Sequence, residues 1–174
     1  MGNNEQLGLD FEVEQTEWGK WVDPDRRAAQ AHKFMDYAGL KGIPSKPWPE
    51  ASPEVKRLDT VVAELFPNMA TAMATENADM ADAFICFVGE CYVKFARAQW
   101  FDFQRGGRER SFYDHVNPAL RWWFDDDDKD NEEMFTAWSL MDVITLASKF
   151  EEGFSSVASE LRDSYARHAR NITI

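Results

Sequence analysis

The most apolar stretch of the chain, Asp79 to Phe103, changes its hydrophobic period partway along. Between Met80 and Phe95, the apolar residues Met80, Phe84, Phe87, Val88, Cys91 and Phe95 trace one helix face at three- and four-residue spacing. From Trp100 the period falls to two, with Trp100, Asp102 and Gln104 alternating against Phe101 and Phe103. That alternation predicts a strand. A core helix running straight into an aromatic strand is therefore the expected organiser of the fold.

Other elements follow from their boundary residues. Phe11 and Val13 alternate with acids, and Trp18 and Trp21 follow in EWGKWV, which reads as an arm pinned to the core by its tryptophans. Asp23-Pro24 and Ser52-Pro53 each place a capping side chain ahead of a proline at the first helical position. They predict helices from Pro24 to Ala38, stopping at Gly39, and from Pro53 to near Phe66. Pro44, Pro47 and Pro49 make residues 39–51 a loop. A short helical piece from Asn68 to Ala74 precedes Asn77 and Asp79, either of which has the chemistry to cap the central helix.

Beyond the Trp100 strand, Gly106-Gly107 predicts a reversal, with Arg110–Tyr113 as a returning strand or irregular segment. Ala119–Phe124 and Met134–Trp138 read as further extended segments. Ser139 and Asp142 have capping-box spacing for a helix from Leu140 to Phe150. A last helix is expected over Ser155–His168, with Gly153 interrupting between them. The sum is an α+β chain: N-terminal helices and a long central helix on a small antiparallel sheet of three to four strands, then C-terminal helices. Residues 1–23 form an acidic, partly disordered arm, and residues 24–174 a single domain.

Composition fits one domain with a real core: 174 residues, 44% of them apolar and 14% aromatic. The formal charge of −12 is local rather than spread. Residues 1–23 hold six acids and one lysine, and residues 125–133 (DDDDKDNEE) hold seven acids and one lysine. Cys86 and Cys91, five apart on one helix, cannot pair with each other. The polar start after Met1 and the lack of a long apolar run predict a cytoplasmic chain with no membrane span.

Candidate chemistry is sparse. Phosphate-loop, dinucleotide, zinc-protease and serine-hydrolase motifs are all missing, so no cofactor or metal is implied. The acidic run fails as a calcium loop: Asp126, Asp128 and Asp130 are correctly spaced, but Ala137 stands where the bidentate acid belongs. Of His32, His115 and His168, only His115 stands in a polar segment with the makings of a site, Tyr113-Asp114-His115 beside Asn117. Glu90 follows a mid-helix glycine, Gly89, and either pairs with Lys94 one turn on or sits partly buried as a functional carboxylate. Gly89 costs the helix roughly 1 kcal/mol against alanine, so something is expected to approach closely there.

The run Val88-Gly89-Glu90-Cys91-Tyr92-Val93, followed by Trp100, by Pro118-Ala119-Leu120 and by a capped helix from Ser139, resembles a group of small uncharacterised bacterial proteins, chiefly actinobacterial. The resemblance implies a compact intracellular α+β domain and carries no activity.

The function expected from the residues is a non-enzymatic acidic domain that docks a basic protein partner, of the immunity, inhibitor or regulatory kind. Its docking residues would be Trp122, Trp123, Asp125, Asp126, Asp127, Asp128, Asp130, Glu132 and Glu133. One alternative is a small enzyme or ligand-binding domain with a pocket around Glu90, Tyr113, Asp114 and His115. A second is single-stranded nucleic-acid binding through the basic, aromatic hairpin 97–121. A third is a homo-oligomer in which that hairpin meets the acidic run.

Overall fold

The computed structural model describes residues 15–104, 111–123 and 130–170. Each early helix starts where a side chain takes over an orphaned backbone donor. Thr16 accepts from Gly19 N–H at 3.0 Å to open α1 (Glu17–Val22), and Asp23 accepts from Arg26 N–H at 3.0 Å to open α2 (Pro24–Ala38). α2 stops at Gly39, whose φ of +71° glycine adopts without penalty. Ser52 caps α3 (Pro53–Leu65) and Asn68 caps the single turn α4 (Met69–Ala72).

The central helix α5 spans Ala78–Ala96. Asn77 stands at its cap position but does not cap it. Its amide donates instead to Thr71 O at 2.8 Å, and a 3-10 turn over Thr75–Asn77 runs directly into the helix. The pattern of one apolar face also needs correction, because thirteen of the nineteen residues of α5 are buried. α2, the C-terminal helix and the sheet surround it, so the small residues Ala81, Ala83 and Cys86 are covered as completely as Phe84 and Phe87.

α5 ends at Arg97, which takes the left-handed conformation (φ 56°), and Ala98 N–H closes on Tyr92 O at 3.2 Å. This sharp reversal starts β1 (Gln99–Asp102). β2 (Pro118–Trp123) lies centrally, antiparallel to β1 and to β3 (Glu132–Thr136), with Leu120 opposite both Trp100 and Phe135. The partner of β1 is thus β2, and Ser111–Asn117 is irregular. Ser111 folds that segment on itself, donating to Val116 O at 2.9 Å and accepting from Tyr113 N–H at 3.2 Å.

β3 begins inside the acidic run, because Glu132 and Glu133 pair with Trp123 and Trp122. The capping box lies one turn earlier than the sequence suggests. Thr136 and Ser139 exchange side-chain and backbone hydrogen bonds, so α6 starts at Ala137 (Ala137–Ser148). α7 (Ser155–Arg170) is capped from a distance: Asp59 on α3 accepts from the N–H groups of Phe154 and Ser155, both at 2.8 Å, and from the Ser155 hydroxyl.

The fold class is α+β, with seven α-helices among the described residues packed on a three-stranded antiparallel sheet. Phe34, Phe66, Phe84, Phe87 and Phe154 form the aromatic centre, and the proline loop inserts Trp48 edge-on against Phe154. Among the described residues, no helix is long and apolar enough to cross a membrane.

Candidate functional site

Asp82 is the most connected side chain of α5, and it is 6% exposed. Its Oδ2 accepts from Arg26 Nη2 at 2.5 Å and Gln30 Nε2 at 2.6 Å, and its Oδ1 from the Tyr113 hydroxyl at 2.5 Å. Arg26 also donates to Trp21 O at 3.1 Å and to Cys86 Sγ at 3.7 Å, with its guanidinium 5.2 Å from the Trp21 ring. Trp21 in turn meets Trp100 and Tyr113 edge-on.

This geometry holds protons in place. Burial alone would lower the Arg26 pKa, but the hydrogen bond and charge of Asp82 outweigh it and leave Arg26 raised. Burial, reinforced by the Asp82 charge, lifts the Tyr113 phenol well above its ordinary range. The Cys86 thiol is pushed up to about 12, chiefly by burial and then by Asp82. The cluster thus ties α1, α2 and the Tyr113 segment to α5 through one buried carboxylate. Sequence reasoning passed over Asp82, although Arg26 and Gln30, four apart on α2, are spaced to converge on one acceptor.

The Gly89-Glu90 pair has two separate explanations. A Cβ at position 89 would fall inside the Trp100 ring, so the close approach expected there is made by β1. Glu90 is paired not with Lys94 but with Arg27 of α2, whose Nη1 lies 2.5 Å from Glu90 Oε1. Lys94 donates to Ile43 O at 3.2 Å instead.

Tyr113, Asp114 and His115 line two adjoining clefts. One, of about 110 Å³, is shared with Phe103, Gln104, Ser111 and Asn117; the other, of about 330 Å³, with Glu17, Lys20, Trp21 and Arg26. Asp114 and His115 are exposed. Glu90 lines neither cleft. It lies eight residues beyond Asp82 on α5, roughly 12 Å along the axis. The structure therefore groups Tyr113–His115 with Arg26 and Lys20, and Glu90 with Arg27. Of the other histidines, His32 is exposed on α2 and His168 buried on α7. Among the described residues, no group of three His, Cys, Asp or Glu side chains is placed to hold a metal ion.

Asp125, Asp126, Asp127 and Asp128 lie outside the described residues, while Asp130, Glu132 and Glu133 are exposed. Trp122 is 1% exposed and packs on Tyr92 and Phe135, with ring centroids 4.9 and 5.1 Å away. Trp123, on the opposite face of β2, is half-buried and is the tryptophan that reaches the surface. In the basic hairpin, Arg105, Arg108 and Arg110 lie outside the described residues. Arg121 stacks over Phe101 at 5.1 Å and Trp123 at 5.8 Å, which uses those aromatic faces within the chain.

A second acidic contribution comes from α7. Glu160 accepts from the Tyr92 hydroxyl at 2.7 Å. Burial raises the Glu160 pKa, the Tyr92 hydrogen bond opposes the rise, and repulsion from Glu133 and Asp163 adds to it. The acids of β3 and α7 therefore act in one field. Comparison with protein-family models, with curated proteins and with solved structures finds no match to this chain.

Proposed function

We propose that this protein is a non-enzymatic binding domain whose acidic face docks a basic protein, in an immunity, inhibitor or regulatory role within the cytoplasm. One observation carries the reading: β3 and α7, distant in sequence, bring Glu133 close enough to Glu160 for its charge, with that of Asp163 on the same helix, to raise the Glu160 pKa. Between Asp130 and Asp163 the chain holds eight acids against only Lys149 and Arg162, and Arg162 is engaged with Trp48 O at 3.1 Å. Mutual repulsion of this kind opposes folding, and a cationic partner surface would relieve it. Such a field also raises the association rate with basic partners. The two buried free thiols suit a reducing compartment.

The test is affinity capture from an extract of the source cells, followed by reconstitution with the purified captured protein. The expected result is a stoichiometric complex with a basic protein, whose on-rate falls about tenfold or more in the Glu132→Gln, Glu133→Gln double variant at low salt. An unchanged on-rate in that variant would overturn the proposal.

The cleft between α1 and the Tyr113–His115 segment supports a second reading, as a pocket for a small ligand. Lys20 and Arg26 line it, and at about 330 Å³ it has the size of a small-molecule site. A small-anion screen by NMR would read it out, with shifts expected at Trp21 and His115.

A further inference from the structure

The outer face of α6 carries an apolar row that nothing in the chain's described residues covers. The inner face, Leu140, Met141 and Ile144, is buried in the core. Val143, Leu146 and Phe150 nevertheless stand 54%, 52% and 77% exposed. Val143 and Leu146, three apart, share one face of α6, and Phe150 continues the three- and four-residue spacing into the turn that closes it. Phe150 lies two residues past the helix end, in the closing turn, its N–H bonded to Ala147 O at 3.0 Å. Isolated exposed apolar side chains are ordinary, but a contiguous row marks a contact surface.

We infer that this row is the docking site for an amphipathic helix of a basic partner. The inference rests on the acidic-docking reading above and names the partner's form. A ridge of i, i+3 and i+7 side chains is complementary to the groove between the side-chain rows of a second helix. The charge setting selects which helix. α6 stands between the acids of β3 and the exposed pair Glu151 and Glu152, with Asp142 beside the row and Lys149 the one basic residue of the helix and its terminal turn. A second copy of this chain would bring the same acids against themselves, whereas a helix with lysine or arginine flanking its apolar row would pair with them.

The experiment uses the full chain and a labelled peptide of leucine and lysine arranged in helical amphipathic register, with a scrambled peptide of the same composition as control. Fluorescence anisotropy is expected to give at least tenfold tighter binding of the registered peptide. Phe150→Ser and Leu146→Ser are each expected to weaken it about fivefold or more, with circular dichroism unchanged because both side chains are exposed. Serine variants that bind like the wild type would overturn the α6 site. If those variants bind normally while Glu132→Gln, Glu133→Gln loses binding, acidic docking stands and the site on α6 falls. Equal binding of both peptides, or no binding of either, also overturns the α6 site, and the capture experiment then decides the wider reading separately. A dimer in sedimentation that Phe150→Ser dissolves would assign the row to a second copy and overturn the partner helix.

Discussion

The Trp100 ring occupies the space where a side chain at position 89 would begin. Gly89 lies mid-helix, and the left-handed residue Arg97 turns the chain so that β1 returns over α5. Gly89→Ala would gain about 1 kcal/mol of helix propensity. It would lose more through displacement of a large, partly buried ring packed against the core, for a net cost of about 1–3 kcal/mol. Urea unfolding should show this, and Gly89→Ala combined with Trp100→Ala should cost less than the sum of the single changes. Strict additivity would mean that the two residues do not share that space.

The buried thiol of Cys86 gives an alkaline signature. In the unfolded chain it loses its proton near pH 9, while in the fold it holds the proton to about 12. Its contribution to stability is therefore complete below pH 9 and is lost as pH rises from 9 to about 12. The slope for one such group is about 1.4 kcal/mol per pH unit. Cys91, Tyr92 and Tyr113, also raised, act in the same direction. Cys86→Ala should flatten this decline by about one group's share when stability is measured across that window. An identical slope would show that the thiol is not protected.

Glu160 should respond in the same sense at lower pH. Its raised pKa means that the fold favours the protonated carboxyl, so its contribution is present near and below pH 4.5 and is lost as pH rises through the raised value. Glu160→Gln keeps an acceptor for Tyr92 and removes the repulsion from Glu133 and Asp163. After solvent screening of this partly exposed group, the gain at pH 7 should be a few tenths of a kcal/mol, vanishing near pH 4. Thermal unfolding at the two pH values measures it, and a loss of stability at pH 7 would refute the account.

Asp59 caps α7 from another helix, and three donors depend on it. Asp59→Ala should cost about 2 kcal/mol, since it strands buried N–H groups that a local cap would ordinarily satisfy. Hydrogen exchange should rise first at Phe154 and Ser155. Protection unchanged there would show that the cap is dispensable.

Much of the architecture was legible in the chain. Asp23-Pro24, Gly39 and Ser52-Pro53 bound their helices because capping and proline geometry are local, settled within four residues. The change of period after Phe95 marked the passage from α5 to β1 for the same reason. Local rules failed where partners come from far away. Ser139 and Asp142 match the capping pattern, yet β3 pairing with β2 carries the chain only to Thr136, and the box forms there. The sequence also marked Gly89 and Glu90 as needing an explanation, and only packing supplied it: Trp100 for one and Arg27 for the other.

What the sequence alone determined is the order of helices and strands from α2 onward, the core role of α5 and the location of the acidic charge; that Glu17–Val22 of the arm is a helix, α1, came only from the structure. The tertiary structure decided that Asp82, not Glu90, gathers the buried polar groups, that Trp122 belongs to the core, and that Val143, Leu146 and Phe150 face outward. The reason is physical. Periodicity tells which residues share a face, but which face is covered depends on the elements that pack there, and those contacts join residues tens of positions apart.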